Sequence, residues 1–322
     1  MRQSTSASQP HPYLLWSLVF CGVTALSFAS ILIRLADAPS LAIATYRVGL
    51  ASLILAPHFS LHLPATWRRC NVRIVAATFL SGFFLALHFT FWIRSLQLTS
   101  VASSATLVNT TPLFVALFSY FWLGDHLSNR SWFGILLVLA GSGLIAGNDF
   151  RFSRGALLGD LLAVAGALAA SGYLIAGSFV RRHLDLSAYT FGAYGSAALV
   201  LIAFSTLTAT PLAGFSSRTY LILILLAIIP QLIGHTSFNW TLRFLAPTTV
   251  AVLILGEPIG ATLLAYLFFA EGVSAAKALG LSILGMGIIL STNAPPKLSK
   301  ADGTKSNFRG LRVEVDRVQE NK

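Results

Sequence analysis

Ten long apolar runs, separated by short polar segments, follow one another along the chain as far as about residue 294. Each run holds roughly 20 residues, the length that an α-helix needs to cross the hydrocarbon core of a bilayer. The pattern therefore predicts an all-α membrane protein with ten transmembrane helices. The predicted spans are about 13–36, 40–60, 73–96, 101–123, 130–148, 156–180, 187–209, 219–242, 247–270 and 274–293.

The third, fourth and fifth runs return as the eighth, ninth and tenth runs, at the offset of 146 positions that separates Pro112 from Pro258. The aligned pairs include Thr90 with Thr236, Ala105 with Ala251, Leu107 with Leu253, Pro112 with Pro258, Tyr120 with Tyr266, Asp125 with Glu271, Gly134 with Gly280 and Gly141 with Gly287. Because five crossings separate each pair, the second copy is predicted to lie upside down in the membrane. Such a 5+5 inverted repeat is typical of secondary transporters.

Composition and charge agree with this architecture. Apolar residues make up 55% of the chain and charged residues 10%, with a mean hydropathy of +0.75, whereas charged residues average about 25% in soluble proteins. Much of the surface is therefore expected to face a lipid bilayer. The net charge of +11 lies mainly in loops and the carboxyl-terminal tail, so it indicates topology and predicts no nucleic-acid partner. The two cysteines, Cys21 and Cys70, have no metal-ligand spacing, and no metal or cofactor is expected.

Orientation follows from the distribution of the 22 lysine and arginine residues. Most of them fall on one side if the amino terminus is cytoplasmic, and the loops alone favour the same side, so both termini are predicted to be cytoplasmic. Residues 1–12 then form a short amino-terminal tail, and the polar segment 295–322 is predicted to be a disordered cytoplasmic tail. The first run exceeds the apolar core of a signal peptide, so it is expected to remain as a helix.

Two stretches share a mid-helix proline, an acidic residue at the end of that helix and a following helix with spaced glycines. They read ATLVNTTPLFVALFSYFWLGDHLSNRSWFGILLVLAGSGLI from residue 105 and AVLILGEPIGATLLAYLFFAEGVSAAKALGLSILGMGIIL from residue 251. This pattern resembles the two EamA repeats of the drug/metabolite transporter superfamily, with repeats expected over 13–148 and 149–294. The resemblance implies a ten-helix permease that moves small organic metabolites. It departs at Asp125, where the family usually has glutamate.

The matched prolines and acids of this motif have physical roles of their own. A proline in the middle of a span removes a backbone hydrogen bond and kinks the helix, so Pro112 and Pro258 are candidate hinges. Asp125 and Glu271 end spans four and nine, where they are candidates for gating or for anchoring the helix ends. The glycines of spans five and ten predict close helix packing; they are Gly134, Gly141, Gly143, Gly280, Gly285 and Gly287.

Ionisable side chains inside a bilayer are costly unless they face water or a partner, so they mark candidate sites. Glu257 falls midway along span nine and Arg47 in span two, and each repeat carries one histidine, His88 or His235, in a span. These four are the candidates for ion pairing or proton coupling. Two interpretations of Glu257 stay open: a group that faces a cavity and its substrate, or a buried ion pair that fixes helix positions.

Helical spacing proposes the lining of a cavity. Gln231, His235 and Asn239 recur every four residues, which stacks them on one face of span eight, and His88 and Trp92 share the same spacing on span three. Asn109 in span four and Tyr173 in span six complete the proposed substrate-binding set together with Glu257. Thr24 and Ser27 are further candidates, although such hydroxyls often bond to their own helix carbonyls.

The sequence hypothesis is therefore a secondary-active transporter in the inner membrane that alternates access around a midplane cavity. It is expected to export small metabolites such as amino acids or amphipathic drug-like compounds, with a proton as a possible coupling ion, as a monomer or homodimer. The alternatives are a lipid or lipid-linked substrate flippase and a channel. An intramembrane enzyme is disfavoured, because HExxH, CxxC and GxSxG motifs are absent from the sequence.

Overall fold

A computed structural model describes residues 10–67, 71–99, 101–123, 127–146, 154–269 and 274–292. The elements are α1 (Pro12–Leu35), α2 (Ser40–Trp67), α3 (Val72–Leu98), α4 (Val101–Val108), α5 (Thr111–Phe118), α6 (Asn129–Ala146), α7 (Arg154–Arg181), α8 (Leu186–Leu207), α9 (Ser217–Leu226), α10 (Thr236–Thr241), α11 (Pro247–Ile254), α12 (Glu257–Phe269), α13 (Ala275–Thr292) and two π-helical segments, Ser119–Leu123 and Ala227–His235. All regular structure in these ranges is helical, and the predicted all-α fold is confirmed.

The helices group into the predicted spans. Nine spans among the described residues are long and apolar enough to cross a membrane, and a further apolar helix, Asn129–Ile145, is somewhat shorter. Large apolar side chains such as Phe20, Phe121 and Leu267 are exposed, as expected where the solvent is lipid. The chain is thus a multi-pass integral membrane protein. Asp125, Glu271 and the tail 295–322 lie outside the described residues.

Several helix starts follow from the local sequence. Pro12 occupies the first turn of α1, where its missing N–H costs no hydrogen bond. The Asn71 side chain accepts a hydrogen bond from the Ile74 amide at 2.9 Å, and Asp185 caps α8 in the same way. Ser216 caps α9. These caps fix the ends of long helices whose boundaries the apolar pattern leaves approximate.

The packing of the helices obeys the internal repeat. Helix α2 packs on α8 and α6 packs on α13, and both contacts join corresponding spans of the two copies. Helix α3 packs along α7, and its counterpart is the contact of α1 with α9, the following π-helical segment and α10. Each contact therefore either lies between equivalent spans or has an equivalent in the other half.

Spans four and nine are broken at the same place. Helix α4 ends at Val108 and α5 begins at Thr111, while α11 ends at Ile254 and α12 begins at Glu257. The sequence predicts kinks at Pro112 and Pro258, whereas the structure ends one helix and starts another. Each proline lies in the first turn of the new helix, which tolerates it because no intrahelical N–H bond is needed there. Two helix amino termini therefore face the middle of the bundle.

Span eight contains a wide turn that the repeat did not predict. Residues Ala227–His235 are π-helical and include Pro230. The amide of Thr236 donates to the carbonyl of Gln231, five residues earlier, which is the hydrogen-bond spacing of a π-helix. Because Pro230 has no amide hydrogen, it favours this departure from α-helical bonding. The corresponding segment of α3 is a regular α-helix.

The predicted glycine contacts between spans five and ten are confirmed at four positions. A Cβ on Gly141 would lie 2.6 Å from the carbonyl oxygen of Gly280, and a Cβ on Gly287 would lie 2.6 Å from that of Gly134. The prediction is wrong for Gly143 and Gly285, since an added Cβ at either would meet no atom of the described residues within 4 Å. We call the four packed residues, Gly134, Gly141, Gly280 and Gly287, the glycine seam.

Candidate functional site

A cavity lies in the middle of the bundle, beside the breaks in spans four and nine. The space free of atoms in the cavity and its mouth is about 750 Å³, and part of it is open to the surroundings. Both repeats contribute to its wall. The predicted residues that line it are Arg47, His88, Trp92, Asn109, Tyr173, His235, Asn239 and Glu257. The structure thus brings together side chains from six helical elements and from the break between α4 and α5.

Arg47 is the positive charge of this cavity, and its side chain is buried. Its Nε donates to Gln231 Oε1 at 2.9 Å, and its guanidinium carbon lies 4.4 Å from the centre of the Phe89 ring. Within the described part of the chain, Arg47 Nη1 has no hydrogen-bond partner. The guanidinium is therefore held in place at Nε and over an aromatic face, while another N–H group is left unpaired.

Glu257 is the negative charge of the cavity and the first residue of α12. A carboxylate there is stabilised by the amino-terminal end of the helix dipole. Its backbone carbonyl accepts a hydrogen bond from Ser27 Oγ at 3.2 Å, which ties the break in span nine to α1. The positive charge of Arg47 attracts the Glu257 carboxylate. Across the described residues, however, the Glu257 carboxylate makes no hydrogen bond or ion pair within 4.0 Å.

The direct pairing of Arg47 with Glu257 that the sequence allowed is therefore not formed between these two described side chains. The reason is geometric, because Arg47 is bonded to Gln231 and stacked on Phe89. The positive charge of Arg47 also interacts electrostatically with the rings of His88 and His235. Opposite charges from the two repeats consequently lie in one cavity as separate groups.

Gln231 does not lie in the cavity wall, where the sequence predicted it. It is fully buried, does not line the cavity and accepts the hydrogen bond from Arg47. The four-residue spacing to His235 assumed an α-helix, whereas this segment is π-helical and has more residues in each turn. His235 and Asn239 do line the cavity. Gln231 therefore supports Arg47 from behind.

His88 and Trp92 form one aromatic wall. Their rings stack with a centroid distance of 5.8 Å and an interplanar angle of 7°, as expected for side chains one turn apart on α3. His88 Nδ1 lies 3.0 Å from the carbonyl oxygen of Gly166 on α7. Among the described residues, the buried Trp92 Nε1 has no hydrogen-bond partner. The His235 ring packs perpendicular to the Phe89 ring, with a centroid distance of 5.7 Å.

Tyr173 and Asn239 belong to a chain of hydrogen bonds on another side of the cavity. Tyr173 donates to Asn239 Oδ1 at 2.7 Å, and Asn239 Nδ2 donates to the Tyr194 hydroxyl at 3.0 Å. That hydroxyl lies 3.1 Å from Thr236 Oγ1. The backbone carbonyl of Asn239 also accepts from the buried Arg181 Nε at 3.0 Å. Both polar groups of the asparagine amide are thus engaged, which fixes its orientation.

The break in span four, which belongs to the first repeat, contributes uncharged groups to the cavity wall. Asn109 Nδ2 donates to Ser142 Oγ at 3.1 Å, and Thr111 lines the cavity while its hydroxyl donates to the Val108 carbonyl. Thr24 and Ser27 do not line the cavity; their hydroxyls donate to the carbonyls of Phe20 and Val23 on their own helix. The Thr24 hydroxyl is therefore used within its own helix, whereas the Ser27 hydroxyl also bonds to the Glu257 carbonyl of span nine.

Residues 12–147 and 157–293 match the EamA-like transporter family. The chain belongs to this family. Among similar sequences, this EamA-like transporter is 27% identical over 274 residues to an uncharacterized transporter of Archaeoglobus fulgidus, covering 83% of this chain and 92% of that one. It is 26% identical over 249 residues to the uncharacterized transporter YxxF of Bacillus subtilis, covering 77% of each.

A solved crystal structure has the same fold, with a TM-score of 0.73 and 19% sequence identity over 88% of this chain and 97% of that chain. The family assignment confirms the resemblance drawn from the two EamA-like stretches, and the chain is a transporter by family.

Three residues that support the site of this EamA-like transporter are not predicted by its sequence pattern. Phe89 supports Arg47, Tyr194 supports Asn239, and Pro230 lies in the π-helical segment that turns Gln231 away from the cavity. Of the three, Pro230 alone is recognisable in the sequence. It is a proline inside an apolar run, and the aligned position of the first repeat holds Phe84. Phe89 and Tyr194 look like ordinary core aromatics in the sequence.

Proposed function

We propose that the chain is a secondary-active transporter that carries small organic metabolites through the central cavity by alternating access. The observation that supports this most strongly is the pair of separate opposite charges, Arg47 from the first repeat and Glu257 from the second, in one cavity. Unpaired charges in a membrane bundle are costly and are retained where a site uses them. A solute bound between them contacts both halves that move relative to each other.

The matched breaks supply the flexible elements of this mechanism. Each break interrupts the hydrogen-bonded ladder of a span beside the cavity, so the half-helices on either side can tilt with less resistance than a continuous helix. Pro112 and Pro258 begin the second half of each span and act as hinges. We expect rocking about these breaks to expose the cavity to one side of the membrane and then to the other.

The proposed location is the inner (plasma) membrane with both termini in the cytoplasm, based on the distribution of basic residues. The proposed direction is export, and the proposed cargo includes amino acids or amphipathic drug-like compounds. The aromatic wall of His88 and Trp92 provides an apolar surface that suits the carbon part of such a solute. The transporter is expected to act as a monomer or homodimer.

Proton coupling belongs to the same proposal, with Glu257, His88 and His235 as the candidate proton-binding groups. The other charged or titratable side chains at the cavity wall are Arg47 and Tyr173. Protonation of Glu257 removes the negative charge of the site, whereas the Arg47 charge is fixed under physiological conditions. Proton binding therefore changes the net charge of the site and, with it, the solute that the site accepts.

The test is flux in proteoliposomes that contain the purified full chain. Vesicles loaded with a metabolite extract are diluted into buffer, with and without an imposed pH gradient, and the retained metabolites are quantified by mass spectrometry. We expect saturable loss of a restricted set of solutes, faster than in empty vesicles, and loss of the pH-gradient dependence in Glu257→Gln. The exposed acidic residue Asp37 provides the matched control, Asp37→Asn.

Three outcomes would overturn parts of this proposal. Release that ignores the imposed pH gradient in both wild type and Glu257→Gln would remove the proton from the mechanism and leave facilitated exchange. Ohmic single-channel currents would indicate a channel. Transfer of a fluorescent lipid between leaflets, without release of soluble metabolites, would indicate a flippase.

A further inference from the structure

A group of arginines outside the central cavity lies where spans six and eight end. Helix α7 ends at Arg181 and α10 ends at Thr241, and the proposed orientation places both ends at the cytoplasmic surface of the membrane. We propose that Arg181 and Arg243 form a binding site for the phosphate group of an anionic phospholipid. Neither residue lines the cavity, and the site does not depend on the proposed transport function.

Arg181 is held in one orientation by two backbone carbonyls. Its side chain is buried; Nε donates to the Asn239 carbonyl at 3.0 Å, and Nη1 donates to the Leu184 carbonyl at 2.6 Å. These carbonyls lie at the carboxyl ends of α10 and α7, where backbone acceptors lack partners within the helix and a positive charge is favoured. The guanidinium is therefore ordered before a ligand binds, which reduces the entropy lost on binding.

One nitrogen of this guanidinium remains available to a ligand. Arg181 Nη2 makes no hydrogen bond to the described residues, and it is not among their enclosed unpaired atoms, so it keeps accessible surface. In the same part of the chain, no carboxylate pairs with Arg181 within 4.0 Å. The Asp185 carboxylate attracts Arg181 from farther away and accepts the Ala188 amide at 2.9 Å. Arg181 thus presents an N–H donor at the surface of the helix ends.

A second arginine adds positive charge at this place. Arg243 follows the end of α10, is exposed, and is near enough for its charge to repel that of Arg181. With Arg182, the two turns carry three arginines and a single acidic residue, Asp185. Neighbouring like charges are unfavourable unless an anion compensates them. A phosphate group has several acceptor oxygens and pairs well with guanidinium groups, so it can bind both Arg181 and Arg243.

The surroundings favour a phospholipid as the source of this phosphate. The Phe179 ring lies against His183 with a centroid distance of 4.8 Å, and the Trp240 ring lies against Phe244 at 4.7 Å. Aromatic side chains are enriched at the level of the lipid headgroups. Basic residues between helix ends at that level are typical of sites for anionic headgroups. A lipid bound there would contact the ends of spans six and eight together.

The experiment measures lipid binding to the purified full chain in detergent. Dioleoylphosphatidylglycerol, dioleoylphosphatidylcholine and inorganic phosphate are titrated separately, and binding is followed by thermal unfolding and by native mass spectrometry. We expect phosphatidylglycerol to remain bound and to raise the unfolding temperature, because a ligand of the folded state stabilises it. Phosphatidylcholine and inorganic phosphate should have much smaller effects. Backbone hydrogen exchange should slow at residues 181–186 and 239–245 when phosphatidylglycerol binds.

Variants test the two arginines separately. Arg243→Gln leaves the buried Arg181 in place and should raise the Kd for phosphatidylglycerol about tenfold, because one charged hydrogen bond is lost. Arg181→Lys keeps the positive charge but loses the planar guanidinium, so it should also weaken binding. The matched control is Arg218→Gln, which removes an exposed arginine at the other end of span eight. Binding to this control should equal that of wild type.

Several results would overturn this assignment. Wild-type affinity in Arg243→Gln, or an equal loss in Arg218→Gln, would show that the proposed site does not hold the lipid. Equal stabilisation by inorganic phosphate would indicate a site for a free anion. Slower hydrogen exchange that excludes both helix ends would place the lipid elsewhere. None of these measurements involves flux, so failure of the transport function would leave their interpretation unchanged.

Discussion

The glycine seam and the central cavity are built from the same repeat but use it in opposite ways. In the seam, Gly134 and Gly141 of α6 face Gly287 and Gly280 of α13, so identical small residues from the two copies pack backbone against backbone. In the cavity, Thr111 of the first copy corresponds to Glu257 of the second, and Asn109 corresponds to Leu255. Symmetric positions hold the bundle together, whereas the asymmetric positions carry the charge and polarity of the site.

The largest expected effect tests the seam. Replacing Gly280 by leucine brings a Cβ to 2.8 Å from the Gly141 carbonyl oxygen and 2.9 Å from the Ile145 side chain. Because the neighbour is backbone, we expect destabilisation by about 1–3 kcal/mol or failure to fold. Thermal unfolding followed by tryptophan fluorescence measures it. The matched control is Gly285→Leu, where no atom in the described part of the chain lies within 4 Å of the added Cβ; an equal loss in both variants would contradict the role of the seam.

The next effect tests the asymmetry between the two breaks. Glu257→Gln should reduce exchange of the transported solute by about tenfold to a hundredfold, since a charged hydrogen bond contributes about 1.5–3 kcal/mol. Thr111→Val, at the equivalent position, should reduce it by less than about threefold, because the Thr111 hydroxyl is already bonded to Val108. Initial exchange rates in proteoliposomes provide the comparison, and equal losses would show that the cavity is functionally symmetric.

A smaller effect is expected at Gln231. Gln231→Leu removes the acceptor of the Arg47 Nε–H and should weaken solute binding about tenfold, because the buried guanidinium loses its orientation. Gln97→Leu is the matched control, since Gln97 accepts from Arg94 on the exposed surface at 2.7 Å. Solute protection against thermal unfolding reports binding in both. Unchanged binding in Gln231→Leu would mean that Phe89 alone holds Arg47.

The smallest effect concerns the hydrogen-bond chain beside the cavity. Tyr173→Phe removes one donor to Asn239 and should lower stability by about 1 kcal/mol, with solute affinity reduced only a few fold. Tyr13→Phe is the control, because the Tyr13 side chain is 79% exposed. Thermal unfolding and solute titration separate the two quantities. A loss of transport as large as that in Glu257→Gln would place Tyr173 among the groups that bind the solute directly.

The sequence predicted the parts of the molecule that depend on periodicity. The spans agree with the structure to within a few residues at most ends, although α2 continues to Trp67, beyond the predicted end near residue 60. The apolar runs are long and the solvent is lipid, so hydropathy alone locates them. His88 and Trp92 were also placed correctly on a common face, because α3 is a regular helix across both.

The errors at Gln231, Pro112 and Pro258 have a common cause, which is a local departure from a regular α-helix. Gln231 turns away from the cavity because its span is π-helical, and Pro112 and Pro258 start new helices where kinks were expected. Such departures depend on which carbonyls and amides find partners after folding, and the sequence spacing does not contain that information. Gly143 and Gly285 were assigned to the seam by residue type, although the crossing of two helices brings only certain turns into contact.

The matched breaks also bear on how the two halves of the molecule evolved. Both copies interrupt the span at the same distance from their prolines, so the simplest history has the broken helix present before the ancestral half was duplicated. The glutamate at one break and the π-helical segment around Pro230 occur in a single copy, so they mark positions where the two copies have diverged. The interrupted helix is thus the inherited part of the molecule, and the charged and π-helical groups beside it are the part in which each half has become distinct.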